Sequence, residues 1–80
     1  MTLLDRLETE LLGKEIALEC EEVVVKYLLP VREIFQSGED KSQRTLRKVY
    51  QLLDSEHIVR RLKQEVEDLR FIINGIKQTT

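Results

Sequence analysis

The sequence predicts an all-α fold: a helical hairpin or a three-helix arrangement with a long C-terminal coiled-coil-like helix. Three observations carry this. Apolar residues recur at steps of three and four along most of the chain, the spacing of one helical face. A single strong break, Ser37-Gly38-Glu39-Asp40-Lys41-Ser42, divides the chain near its middle. From Ser42 to Asn74 there is neither Pro nor Gly, so nothing interrupts a helix of roughly 50 Å at 1.5 Å per residue. With 80 residues the chain is read as one domain, 1–80. It has no Trp, two Phe and two Tyr, so small aliphatic side chains must supply most of the burial. One Cys excludes an intramolecular disulfide, and one Cys with one His cannot build a structural zinc site.

The first helix is expected at about 2–29. Thr2 and Asp5 have the spacing of a capping box, with Asp in place of Glu. Leu4, Leu7 and Leu11 follow on one face, widened by Leu3 and Leu12. Gly13 marks a stop or a bend. Beyond it the periodicity resumes with Ile16, Cys20, Val23 and Tyr27, and Ala17, Val24 and Leu28 run beside them. On this reading Cys20 is a buried thiol on the apolar stripe. Val23-Val24-Val25 is β-branched, yet it sits within a helical stripe flanked by Glu and Lys. Pro30 either pushes Leu29 out of helical geometry or opens a short second helix at 31–36, with Val31, Ile34 and Phe35 as its buried side.

The turn falls at 37–41. Gly38 suits the left-handed position that ends a helix, and Asp40 or Ser42 suits the cap of the next. The long helix is expected at 42–74, with a stripe in two phases. Leu46, Val49 and Leu53 form the first. Val59, Leu62, Val66, Leu69, Ile73 and Ile76 form the second, a heptad seam, with a slip between them near Ser55-Glu56-His57-Ile58. Asn74-Gly75 is read as the helix end, with Ile76 folding back over it. A helix of about 50 Å facing one of about 40 Å, with a phase slip, leaves part of a stripe uncovered, and uncovered stripe is a binding surface.

Charge divides between the halves. Residues 1–40 carry four Lys/Arg and ten Asp/Glu, a sum of −6; residues 41–80 carry nine and five, a sum of +4. Opposite halves attract when folded back on each other. Lys41, Arg44, Arg47 and Lys48 form a basic patch at the start of the long helix, where phosphate binding is the sharp alternative. A nucleic-acid role ranks below protein binding, because the acidic half repels phosphates and no RNA motif is present. No run of 18 apolar residues exists, so no membrane span is expected. The opening residues lack the apolar run of a signal peptide, which points to a cytoplasmic location.

No constellation calls for catalysis, a metal or a cofactor. Cys20 and His57 lack an orienting group and an oxyanion hole. Glu15, Glu19 and Glu22 share a face without the Glu-x-x-His partners of a carboxylate metal site. Arg60, Arg61, Lys63, Glu65, Glu67 and Asp68 flank the C-terminal seam as a solvated face or as selectors of a coiled-coil partner.

The opening Met1-Thr2-Leu3-Leu4-Asp5-Arg6-Leu7-Glu8, with Leu11-Leu12, resembles the start of the small co-chaperones of type III secretion needle subunits (the YscE, PscE and SsaE group). Tyr50-Gln51 and Ile72-Ile73 are similar to that family's Tyr-Gln pair and Ile-Ile-rich end. Their spacing differs from the family pattern, and Pro30 departs from it. The resemblance implies a cytoplasmic, virulence-associated protein. Such a protein stabilises a larger helical-repeat chaperone and helps keep a needle subunit unpolymerised before export, without catalysis or cofactor.

The expected partner-binding residues are Leu4, Leu7 and Leu11 of the first helix and Leu62, Val66, Leu69 and Ile73 of the seam. Each serves equally as intramolecular core. The occupant is a helical-repeat chaperone, a needle subunit, or a second copy of the chain in a homo-oligomeric coiled-coil adaptor.

Overall fold

A computed structural model describes residues 2–79. They form two helices, α1 (Leu3–Ser37) and α2 (Gln43–Thr79), folded back as an antiparallel hairpin with no strands among the described residues. The rod measures 59 × 19 × 13 Å.

Helix α1 begins where the capping box places it. The Asp5 amide donates to Thr2 Oγ1 at 3.1 Å, and the Thr2 amide donates back to Asp5 Oδ2 at 3.3 Å. It then runs unbroken through both Gly13 and Pro30. The hairpin is therefore the fold, and the expected short helix at 31–36 is the last part of α1. Pro30 has no N–H for the carbonyl of Lys26, a loss that costs about 3 kcal/mol in a helix interior. Leu28 is buried and Val31, Arg32 and Phe35 are half-buried against α2, and this packing on both sides of the proline holds the helix together. Pro30 itself is exposed.

The turn is closed by local chemistry. Gly38 has φ +86°, and its amide donates to the Phe35 carbonyl at 3.2 Å. The Lys41 ammonium lies 4.2 Å from the centre of the Phe35 ring. Ser42 caps α2, accepting from the Thr45 amide at 3.3 Å. Asp40 accepts from the Ser42 amide at 2.9 Å and from the Thr45 hydroxyl at 2.7 Å. The sequence offered Asp40 or Ser42 as the cap, and the two work together.

Helix α2 passes through Asn74-Gly75 and continues to Thr79, so the expected end at 74 and the fold-back of Ile76 do not occur. Ile76 is half-buried on the next seam position, which extends the packed face by a turn. The expected phase slip is also absent. Thr45, Lys48, Leu52, Ser55, Val59, Leu62, Val66, Leu69, Ile73 and Ile76 follow one another at alternate steps of three and four as a single seam. Thr45 and Ser55 are buried and Leu52 is wholly inaccessible, whereas Leu53, assigned to the first phase, is 43% exposed. The apolar pattern slips because polar residues occupy three early seam positions.

Candidate interaction surface

The seam of α1 is equally regular: Leu4, Leu7, Leu11, Lys14, Leu18, Glu21, Val25, Leu28, Arg32 and Phe35, all buried or half-buried. Charged residues hold three of its positions. A two-helix seam is open along both edges, so a long side chain can lay its stem over the core and turn its head outward. Lys14 Nζ donates to Glu65 Oε2 at 2.7 Å, and Arg32 Nη1 donates to Glu56 Oε1 at 2.8 Å. The Lys14 hydrogen bond holds the Glu65 carboxyl below its ordinary range, against a weaker opposing effect of burial.

The seven residues expected to bind a partner all lie on these two seams. Leu62, Val66, Leu69 and Ile73 are buried in the hairpin, and Leu4, Leu7 and Leu11 are half-buried. The four on α2 belong to the intramolecular core, and the three on α1 pack at its edge and stay partly exposed. The uncovered apolar surface lies elsewhere. The helices are nearly equal in length, 35 and 37 residues, so no overhang creates it.

The surface is the back of α1. The stripe expected to face the core after Gly13 points the other way: Ile16 is 54% exposed, Val23 66% and Tyr27 76%, and Cys20 is exposed as well. Cys20 is thus not a buried thiol. From Gly13 the outward positions run Gly13, Ile16, Cys20, Val23, Tyr27, Pro30 and Ile34, again at alternate steps of three and four. Ala17, Val24 and Val31 continue this face round to one flank. No charge falls among these ten residues. Helix α1 therefore carries two seams, one covered by α2 and one bare.

The two long edges of the hairpin differ. One is ionic: Glu15 Oε2 lies 3.5 Å from Arg70 Nη2 and Glu8 Oε1 3.3 Å from Lys77 Nζ, and Glu22 and Lys63 line the clefts of the same edge. Acidic α1 meets basic α2 there, as the charge asymmetry of the halves predicts. The opposite edge holds a shallow groove of about 360 Å³ lined by Val23, Val24, Tyr27, Leu28, Lys48 and Gln51, which joins the back of α1.

The other sequence candidates are dispersed. Within the basic patch, Lys41 lies over Phe35, Lys48 lines the groove, and Arg44 and Arg47 are exposed. His57 is exposed on α2 and Cys20 on α1. Among the described residues no group of three or more His, Cys, Asp or Glu side chains is placed to hold a metal ion. No described helix is long and apolar enough to cross a membrane.

The apolar period of the sequence contains this row but does not by itself tell it from the packed one. Continuing the three-four rhythm from Leu11 through Lys14 and Glu21 would have separated the two faces. Comparison with protein-family models, curated proteins and solved structures yields no match.

Proposed function

We propose that this chain is a non-enzymatic helical interaction module that works through the back of α1. The observation carrying this reading is the row of seven uncharged, exposed residues from Gly13 to Ile34, left bare by a hairpin whose own seams pack against each other. A helix apolar on two opposite sides is normally an interior helix of a larger assembly. The resemblance of the opening residues supports a specific form of this role. The chain would act in the bacterial cytoplasm as a co-chaperone, lending α1 to a larger helical-repeat chaperone and so helping to keep a secretion needle subunit unpolymerised.

The test is co-expression with a helical-repeat chaperone and needle subunit from the same genome. Wild type is expected to co-purify with the chaperone. Tyr27→Lys, on the bare face, is expected to abolish capture, and Phe71→Lys, exposed on α2, to leave it unchanged. Capture insensitive to Tyr27→Lys would place the contact on another surface and overturn the reading.

A further inference from the structure

We infer that, in the isolated chain, the bare face of α1 is occupied by a second copy of the same face, antiparallel about a twofold axis between Val23 and Val24. This deepens the interaction-module reading and rests on it for the choice of surface.

Self-complementarity carries the inference. An isologous contact brings each patch against itself, so it must avoid like charges and match large residues to small ones. The face has no charge at its centre. Large and small residues are distributed unevenly along it: Gly13, Ala17 and Cys20 lie toward one end, and Tyr27, Pro30 and Ile34 toward the other. Reversing a second copy about the Val23–Val24 midpoint sets Tyr27 opposite Cys20 and Ile34 opposite Gly13. Bulk then meets space at each end. A parallel copy would set Tyr27 on Tyr27 and Gly13 on Gly13.

The charged border selects the same orientation. Glu19 and Lys26 lie seven residues apart on one edge of the face, both exposed, and neither enters an ion pair among the described residues. In the antiparallel pair Glu19 of each copy comes beside Lys26 of the other. In a parallel pair the twofold runs along the helices, so the Glu19–Lys26 edge of each copy would lie beside the apolar Ala17–Val24–Val31 edge of the other and neither charge would gain a partner. The other border, Ala17, Val24 and Val31, is apolar and runs into the groove beside Lys48 and Gln51. The product is a four-helix bundle with the two α1 helices at its centre.

Sedimentation equilibrium, with circular dichroism on the same samples, reads the outcome. At about 100 µM, above a micromolar dissociation constant, the expected mass is twice the chain's 9.5 kDa. Glu19→Lys and Lys26→Glu are each expected to weaken the dimer several-fold without loss of helicity, and the double exchange Glu19→Lys with Lys26→Glu to restore it. With Cys20→Ala as background, mixing Gly13→Cys with Ile34→Cys is expected to give the mixed disulfide, while Ile34→Cys alone stays unlinked. A monomeric wild type, no recovery in the double exchange, or efficient self-linking of Ile34→Cys would each overturn the inference. A monomer that still loses its chaperone through Tyr27→Lys would sink this inference alone. A dimer whose chaperone capture ignores Tyr27→Lys would sink the functional reading alone.

Discussion

Lys14 and Glu65 meet at 2.7 Å across the hairpin, with Lys14 occupying a position where a coiled-coil seam normally holds an apolar side chain. The pair is about one-third exposed, so its worth lies more in register than in free energy. The seam position itself favours burial. Lys14→Leu is therefore expected to raise the thermal midpoint at fixed protein concentration, and Glu65→Gln alone to lower it slightly. A large loss in Lys14→Leu would show that the ion pair, not the seam, sets stability there.

Two carboxyls tie folding to acid. Asp40 is held below its ordinary 3.8, first by the Thr45 hydroxyl and then by the Ser42 amide; Glu65 is held below 4.5, first by Lys14. A carboxyl lowered in the folded state contributes stability that is complete above its ordinary value and is lost as pH falls through the lowered one. Thr45→Val is expected to move the Asp40 titration back toward 3.8, and Lys14→Met to move that of Glu65 toward 4.5, each read by NMR of the side-chain carboxyl carbons. Unmoved titrations would remove these contacts from the account.

The continuous seam of α2 separates two neighbouring leucines. Leu52 is inaccessible and Leu53 is 43% exposed. Leu52→Ala is expected to cost about 2–5 kcal/mol, and Leu53→Ala about 0.5 kcal/mol or less, by urea unfolding at one protein concentration. Equal costs would restore the phase slip.

Breakers inside the helices are expected to act as breakers. Gly75 has open space around an added Cβ, so Gly75→Ala should stabilise by about 0.5–1 kcal/mol. Pro30→Ala should stabilise by up to about 3 kcal/mol, since it restores a hydrogen bond within one helix. If Pro30 instead opened a separate helix, its replacement would bring no such gain. Gly38→Ala should destabilise by about 1 kcal/mol, because φ there is +86°.

Much of the fold was legible because it rests on local chemistry: the Thr2–Asp5 box, the Gly38 turn, the Ser42 cap and the Val59–Ile76 seam. The errors share one physical cause. A two-helix seam is open at its edges, so Lys14, Glu21, Arg32 and Lys48 can occupy it, and an apolar-only search steps off the seam wherever they do. In α1 it stepped onto Ile16, Cys20, Val23 and Tyr27, a second apolar row with the same period. In α2 the buried Thr45 and Ser55 hid the early seam, and Leu46, Val49 and Leu53 took its place. Helix ends misled because Pro30 and Gly75 carry only local penalties, which packing along a long seam outweighs.

Cys20 lies on the outward row of α1, and its thiol reports which side of that helix faces α2. In dilute protein, below dimerisation, the folded chain is expected to alkylate within a few-fold of the urea-unfolded chain, with protection appearing only as concentration rises. Strong protection in dilute, monomeric protein would mean that the Ile16–Tyr27 row faces α2, and would contradict the account.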